Sequence, residues 1–367
     1  MNQTEQPNGG FDWPKVGDAA RRLLIGPVNF AGQGEAWAQA VNHHLSEVQA
    51  VSFGLEAANR FDFPASRVVP QATYRNDKTW QQAHFEWVTS HFSHVLIEAF
   101  RPLFGGLFHF DPFKEAKLLG QMGVQVAFVA HGSEVRVPSR HAKQQAASPF
   151  ASGQYPGQRN LERRSRRHVA VANQAGLPIF VSTPDLVEYL PAGRWLPIVV
   201  DPERWANQAS VMARPTPVVL HAPSDMLMKG TDLVRPQLTE LEKKGLIEYR
   251  EFTEVPADDL PGAMAEADLV LDQFRVASYG VAAVEAMAAG RAVIGNVSQL
   301  VRQAAFGLAG QELPIWEAQP DSIGRAVMDL VNQPDKAVAL AAGGSQFAQK
   351  VHNGAQSAAV LKAFLER

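Results

Sequence analysis

"ADLVLDQFRVASYGVAAVEAMAAGRAVIGN", residues 267–296, is the stretch that decides the fold class. Its apolar run 267–274 predicts a strand, and the small apolar residues 281–290 predict a helix that ends at Gly290. A second apolar run, 291–296, predicts another strand. A strand, a helix and a strand in succession form the unit from which parallel sheets are built. The stretch therefore predicts an α/β protein.

The same alternation of short apolar runs and longer amphipathic segments covers most of the chain. Further strands are predicted at 22–28, 48–53, 94–100, 124–130, 178–183, 217–223 and 246–252. The segment 233–244 is predicted to be helical, and so is the chain from 321 to its end, with glycine breaks near 343 and 354. These elements predict two doubly wound halves. Facing crevices at the carboxyl ends of their strands would make a cleft between two domains.

The boundary between the halves is predicted at 199–217. There the apolar periodicity lapses, two prolines bracket the end, and a new strand begins at once. We therefore expect one domain over 1–205, a second over 206–345, and a C-terminal helix over 346–367.

Composition excludes several classes of protein. The chain has 367 residues, 46% hydrophobic and 19% charged, which is ordinary for a globular protein with two cores. A net charge of -3 argues against a nucleic-acid partner. The absence of cysteine excludes disulfides, thiolate metal sites and a cysteine nucleophile. Neither a signal-like N-terminus nor a run of roughly 18 apolar residues is present in the sequence, so we expect a cytoplasmic protein.

Glu285 is a lone carboxylate in the apolar helix 281–290. An unpaired buried carboxylate costs several kcal/mol, so it needs a partner. An ionised carboxylate can accept hydrogen bonds from two neighbouring hydroxyl groups, such as those of a ribose. The alternative is that Glu285 faces solvent or caps a neighbouring loop.

Lys229 lies in "LHAPSDMLMKGTD" (220–232), where a strand is followed by a loop and a helix that Thr231 or Asp232 is expected to cap. Backbone amides at a helix start, together with a lysine, suit a diphosphate. A solvent-facing lysine in an ordinary loop is the alternative. Lys229 and Glu285 open the same face of one domain, which favours a ligand site.

Two loops of the first half also follow predicted strands. In "GPVNFAGQGEAW" (26–37), Gly32 and Gly34 would let the backbone approach a phosphate or sugar. In "VAHGSEVR" (129–136), His131 and Arg136, with Glu134 between them, lie where side chains reach a central cleft. A single histidine is also common as a structural residue.

The segment "QRNLERRSRRH" (158–168) is predicted to be a basic helix with Arg159, Arg163 and Arg166 or Arg167 on one face. Such a face is usually solvated. The other possibility is contact with a lipid headgroup or with a pyrophosphate on an acceptor. The sequence has no H-E-x-x-H metal motif, no P-loop and no G-x-S-x-G turn.

Five of these stretches together resemble GT-B-fold glycosyltransferases of the large retaining family four. They are "HAPSDMLMKGTD", "ADLVLDQF", "YGVAAVEAMAAGRAVIG", "HGSEVR" and "VSTPDLVEYLP", and the likeness covers nearly the whole chain. It implies two Rossmann-like domains, an acceptor-side domain first and a nucleotide-sugar-binding domain second, with the last helix packed back on the first. It also implies transfer without a metal or cofactor.

By position, the resemblance assigns the donor diphosphate to Lys229, the ribose to Glu285 and the neighbourhood of the transferred sugar to His131. Further donor-binding residues are expected at Ser224, Gly280, Gly32 and Arg275, and acceptor-side residues at Gly34 and Arg136.

Two positions depart from the family pattern. Ala277 stands where the E-x7-E motif has its first glutamate, followed by Ser278 where glycine is usual, and Pro223 stands where an arginine is typical. Losing a cation at a developing oxyanion costs about 2.7–4 kcal/mol in comparable sites. We expect Asp272 and Arg275 to supply the missing acid and base, with Asp272 accepting hydrogen bonds from the sugar. The alternative is that Asp272 caps the loop that follows it.

The sequence therefore predicts a metal-independent retaining glycosyltransferase. It would move a hexose from a nucleotide-sugar donor to a sugar, a lipid-linked compound or another small acceptor, in the cytoplasm and with peripheral membrane contact through 158–168. The alternatives are a catalytically inactive, glycosyltransferase-like binding subunit and a nucleotide-sugar epimerase of similar fold.

Overall fold

The computed structural model describes residues 11–56, 63–207, 209–253 and 259–367. Residues 1–10, which contain most of the N-terminus considered above, lie outside this part. The described chain contains two parallel sheets, each with helices packed on it, which confirms the expected α/β architecture.

The first sheet, counted over the described residues, has seven strands in the order β3-β2-β1-β4-β5-β6-β7. All neighbouring strands are parallel. The strands are β1 (Arg21–Gly26), β2 (Val48–Leu55), β3 (Arg67–Val69), β4 (His94–Glu98), β5 (Gln125–Ala130), β6 (Ile179–Val181) and β7 (Arg194–Trp195). The helices of this half are α1 (Gln33–His44), α2 (Gln71–Asn76), α3 (Lys78–His91), α4 (Pro112–Gln121), α5 (Pro138–Gln144) and α6 (Gln158–Ala172).

The second sheet, within the same described residues, has five parallel strands in the order β12-β11-β10-β8-β9. They are β8 (Val218–His221), β9 (Glu248–Glu251), β10 (Leu269–Leu271), β11 (Ala292–Gly295) and β12 (Ile315–Glu317). Its helices are α7 (Pro202–Trp205), α8 (Met226–Lys229), α9 (Thr231–Lys243), α10 (Leu260–Glu266), α11 (Val281–Ala288), α12 (Gln299–Ala309), α13 (Ile323–Val331) and α14 (Pro334–Val351). The final helix is α15 (Ala355–Leu365).

Each predicted strand overlaps an observed one, but the short strands β3, β7 and β12 were not predicted. The predicted glycine break near 343 is wrong. Gly343 and Gly344 lie inside α14, and a Cβ at Gly344 would stand 3.1 Å from the Met287 side chain. Glycine is used there for close packing of α14 on α11, while Gly354, with φ of 98°, does separate α14 from α15.

The helix α15 packs against α1 of the first half. Ser357 Oγ donates a hydrogen bond to the Pro197 carbonyl at 2.7 Å, and Leu361 and Phe364 share a buried cluster with Trp37. The chain thus returns to the first half after completing the second. Within the described residues, no helix combines the length and the apolar character that crossing a bilayer requires.

Candidate nucleotide-binding cleft

A cavity of about 830 Å³ lies between the two halves, in the size range of small-molecule sites. One wall comes from the loops after β1 and β4 and from α2 of the first half. The other comes from the loop after β8, from α8 and from α11 of the second. The described lining residues that carry polar or aromatic chemistry include Phe30, Arg75 and Arg101 on the first wall and Ser224, Lys229 and Glu285 on the second. The cleft expected from the topology is therefore present, and three of the predicted donor-binding residues line it.

Lys229 is held by a buried ion pair. Its Nζ lies 2.5 Å from Oδ1 of Asp272, and the two side chains are 14% and 1% exposed. The other carboxylate oxygen of Asp272 accepts a hydrogen bond from the Gly280 amide at 3.0 Å. A carboxylate that accepts from two donors holds both of them in place. Asp272 therefore aims Lys229 at the cavity and holds the start of α11.

These contacts correspond to the second of the two roles open for Asp272, that of holding the loop that follows it. Asp272 is not among the described lining residues of the cavity, and both its carboxylate oxygens are engaged within the protein. A sugar could reach it only by replacing Lys229 or the Gly280 amide. The proposed sugar contact of Asp272 has no support from this geometry.

Glu285 lies half-buried on the cavity wall. No hydrogen bond or ion pair joins its carboxylate to another residue of the described part of the chain. Burial raises its pKa to about 7, although Arg204 and Lys229 act in the opposite direction. A carboxylate that is desolvated and still lacks a donor is poised to accept hydrogen bonds from a ligand.

His131 follows β5 and lies behind the first wall. Its Nε2 is 3.1 Å from Glu98 Oε1, and its ring stacks on Trp37 and meets the edge of Phe30 at 5.4 Å. Glu98 is fully buried and also accepts from the Val28 and Asn29 amides. Nδ1 has no partner among the described residues, so one ring nitrogen is available. Phe30, which contacts the His131 ring, lines the cavity, whereas His131 is not among the described lining residues.

The glycines of the loop after β1 are packed rather than open to the cleft. A Cβ at Gly34 would lie 3.0 Å from a carboxylate oxygen of Glu98, and one at Gly32 would lie 3.3 Å from the Phe63 ring. Neither glycine lines the cavity, whereas Asn29 and Phe30 of the same loop do. The direct approach of Gly32 and Gly34 to a ligand is therefore corrected to a packing role.

Arg136 is also placed differently from its prediction. It forms a buried ion pair with Asp185 at 2.5 Å, and the two side chains are 7% and 10% exposed. Burial, the largest single cause, lowers the pKa of Arg136. The charge and the hydrogen bond of Asp185 outweigh it, so the pKa is raised overall. Its guanidinium is thus engaged in the interior, and Arg136 is not among the described residues that line the main cavity.

Arg275 connects the two halves. Its guanidinium donates to Asp232 at 2.6 Å and to the Ala147 carbonyl of the first half at 3.1 Å. It is not among the described cavity-lining residues. The predicted cap of the helix α9 by Thr231 or Asp232 is wrong, because the N-cap residue is Gly230, with φ of 80° and no side-chain cap hydrogen bond. Thr231 instead hydrogen-bonds His221 at 2.9 Å.

Pro223 and Ala277, the two positions that depart from the pattern of the family that the sequence resembles, differ in their exposure to the cavity. Pro223 lines the cavity, so the position of the typical arginine is occupied by an uncharged ring. Ala277 is buried, 3% exposed, with φ of 52°. It borders a separate small pocket beside Asp185 and Tyr189. Among the described lining residues, the second wall carries one cation, Lys229, whose charge is paired with Asp272.

Two cations that the sequence analysis did not consider stand on the opposite wall. Arg101 follows β4, and Arg75 lies in the last turn of α2. Neither guanidinium has a carboxylate partner within hydrogen-bonding distance in the described residues, and Arg101 lies over the Phe30 ring at 5.6 Å. Arg101 is the third residue after a strand that points into the cleft. That signal was available in the sequence "HVLIEAFR" (94–101).

A metal could be held only by a suitable ligand group. The described residues contain no group of three or more histidine, aspartate or glutamate side chains arranged around a common point.

No protein-family model matches this sequence, and no curated protein matches it significantly. Solved structures do match. A sucrose-phosphate synthase from Thermosynechococcus elongatus superposes with a TM-score of 0.62 and 14% identity, covering 94% of this chain and 98% of that one. HepE from Anabaena, in complex with UDP and glucose, gives 0.58 and 12%, covering 94% and 99%.

UDP-GlcNAc 2-epimerase from Neisseria meningitidis, bound to UDP-GlcNAc, gives a TM-score of 0.52 and 12% identity, covering 95% of this chain and 100% of that one. Identity at this level establishes a shared fold. The two parallel-sheet domains and the cleft between them are those of the GT-B fold, which confirms the predicted fold class.

Proposed function

We propose that the protein binds a nucleotide-activated hexose in the cleft and transfers the hexose to an acceptor without a metal, with retention at the anomeric carbon. The proposal assigns the ribose to Glu285 and the diphosphate to Lys229. Ser224 lies on the same wall beside Lys229. The transferred sugar would lie toward the first wall, where His131 has a free ring nitrogen behind Phe30.

The observation that carries the proposal is the state of Glu285. This carboxylate faces a ligand-sized cavity, has a pKa raised to about 7 by burial, and has no donor from the described residues. Neighbouring ribose hydroxyls would supply two donors and favour the ionised form. Structures of the same fold that contain UDP or UDP-sugars support a nucleotide as the ligand.

Transfer requires the bond from the anomeric carbon to the diphosphate oxygen to break and a bond to the acceptor oxygen to form, while the proton of the acceptor hydroxyl passes to the departing diphosphate. Negative charge then develops on the diphosphate, and preorganised cations nearby lower the barrier. Lys229 is one such cation, and Arg101 and Arg75 face it from the other wall. In this proposal the first wall supplies the charge that Pro223 does not.

A catalytically inactive binding subunit is the second candidate, and a specific observation favours it. Ala277 carries no acid, and Asp272 is engaged by Lys229 and Gly280. The described residues thus leave the transferred sugar without a carboxylate on the second wall other than Glu285. Such a protein would bind a nucleotide sugar and leave it unchanged.

The experiment is to incubate the protein with a panel of nucleotide sugars and to follow three quantities. Calorimetry measures binding of each nucleotide sugar, chromatography measures release of the nucleoside diphosphate, and mass analysis of the sugar reports epimerisation. The proposed transferase binds one member of the panel and hydrolyses it slowly without an acceptor. Binding with no turnover would favour the inactive subunit, and conversion of the free nucleotide sugar to its epimer would favour an epimerase. If no member of the panel binds, the proposal is wrong.

A further inference from the structure

A second, smaller cavity of about 210 Å³ opens next to the cleft on the first half. It shares Phe30 and Arg101 with the main cavity and extends to Arg164 and Arg167 of α6. Its volume corresponds to that of roughly seven liquid water molecules. The side cavity is therefore large enough for a phosphate and part of a sugar, and it meets the main cavity beside the ring that covers His131.

The charges around the side cavity are unbalanced. Arg167 is paired with Asp111 at 2.9 Å. Arg101 and Arg164 have no hydrogen bond or ion pair with a side chain anywhere in the described ranges. Glu134 also lines the side cavity, but its carboxylate accepts the Gly132 amide at 3.1 Å. Among the described residues, neither guanidinium group is therefore hydrogen-bonded to an anion, although the Glu134 charge acts on Arg101 from a distance.

The two guanidinium groups are close enough to affect each other. Burial lowers the pKa of Arg101, Arg164 and Arg75 add to that lowering, and Tyr74 and Glu134 act in the opposite direction. Holding like charges together costs free energy unless an anion joins them. Arginine forks match the oxygens of a phosphate in geometry as well as in charge.

Aromatic rings form the rim of the same cavity. Phe30 is 43% exposed and Phe110 is 52% exposed, which is high for phenylalanine. A sugar ring carries apolar C–H faces that pack on such rings, while its phosphate reaches the arginines. The chemistry of the pocket is therefore that of an anion with a moderately apolar body.

We propose that Arg101 and Arg164 bind a phosphate group carried by the acceptor, whose body lies on Phe30 at the junction with the main cavity. This deepens the proposed function and rests on it, because it names the class of acceptor as a phosphorylated compound. The phosphate has two possible sources, a soluble sugar phosphate and a phospholipid headgroup at a membrane surface.

The test uses Arg164→Gln and, as the matched control, Arg163→Gln. Arg163 is the preceding residue of α6, is exposed, and does not line the side cavity. Calorimetry with glucose 6-phosphate and with glucose measures the soluble arm. Cosedimentation with phosphatidic acid vesicles and with phosphatidylcholine vesicles measures the lipid arm. Melting temperatures establish that both variants fold.

In the supporting result, one phosphorylated probe binds the wild type, its neutral counterpart does not, and Arg164→Gln weakens binding at least about tenfold, or about 1.4 kcal/mol. Arg163→Gln stays near wild type. If this pattern occurs with glucose 6-phosphate, the phosphate belongs to a soluble sugar phosphate. If it occurs with phosphatidic acid vesicles, the phosphate belongs to a lipid headgroup. Equal weakening by both variants would mean diffuse attraction to a basic helix and would overturn the proposal. Failure of both phosphorylated probes to bind would overturn it as well.

UDP binding is measured in the same preparations. Arg164 does not line the main cavity, so UDP affinity should be the same in both variants. If the wild type binds neither UDP nor any nucleotide sugar of the panel, the proposed function is contradicted, while the measurements with phosphorylated probes would still report on the side cavity. The two failures are thus separable.

Discussion

The two walls of the cleft treat charge in opposite ways. On the second wall, Lys229 is neutralised by Asp272 at 2.5 Å, and the remaining charged group of that wall is the half-buried acid Glu285. On the first wall, Arg75 and Arg101 have no carboxylate partner within the described chain. The second wall is preorganised and nearly neutral, whereas the first carries one acid, Glu56, and two arginines without a carboxylate partner among the described residues.

Pro223 stands where the family resemblance implies an arginine. In the proposed function, a diphosphate seated on Lys229 would complete its charge compensation only when the first wall approaches. Ligand binding and closure of the cleft would then be coupled.

The largest effect is expected at the Lys229 and Asp272 pair. Lys229→Met should destabilise the fold by about 3–5 kcal/mol, because it leaves the Asp272 carboxylate buried with one donor. Lys229→Met combined with Asp272→Asn should recover most of that stability in urea unfolding. Diphosphate binding should remain weak in both. If the double variant binds the diphosphate as wild type does, Lys229 is only a structural partner of Asp272.

The next effect concerns pH and Glu285. Its pKa is raised to about 7 without ligand, and accepting two ribose hydroxyls would lower it. Ribose therefore binds the ionised form better, and nucleoside affinity should rise roughly tenfold from about pH 6 to about pH 8 and then level off. Uridine is the probe, since it has no phosphate to titrate. Glu285→Gln should bind uridine weakly and equally at each pH. A wild-type affinity that is flat over this range would contradict the ribose assignment.

The smallest effect is expected on the first wall. Arg101→Gln and Arg75→Gln should each weaken nucleoside diphosphate binding about two- to fivefold, the range for exposed ion pairs, and the loss should shrink in high salt. Uridine binding should not change, because it lacks the diphosphate. Arg163→Gln is the control for general loss of positive charge. Equal losses in the control would remove the contrast between the walls.

Much of the fold could be predicted because long buried strands carry a clear apolar pattern. The strands missed, β3, β7 and β12, have three, two and three residues. Runs of that length are too short to show a period, and their pairing depends on neighbours distant in sequence. Gly344 was misjudged for a related reason, since the contact with Met287 that it permits forms only when α14 packs on α11.

A site residue could be predicted where a single secondary-structure element carried the signal. Glu285 and Lys229 were found from a helix and a strand-to-helix connection, and both line the cavity. The partner of Lys229 could not be assigned, because Asp272 is 43 positions away and its two bonds depend on the tertiary fold. Arg136 was misassigned because its burial with Asp185, across 49 positions, leaves no mark on local sequence.

The central claim is that Glu285 accepts hydrogen bonds from the ribose. The direct measurement is a double-mutant-type cycle. Calorimetry gives the binding free energies of UDP and of 2′,3′-dideoxy-UDP for the wild type and for Glu285→Gln. In the wild type, loss of the hydroxyls should weaken binding by about 1–3 kcal/mol, the range for hydrogen bonds to a charged group. In Glu285→Gln the two ligands should bind almost equally. The same loss in both proteins would mean that the hydroxyls are bound elsewhere, and it would contradict the account.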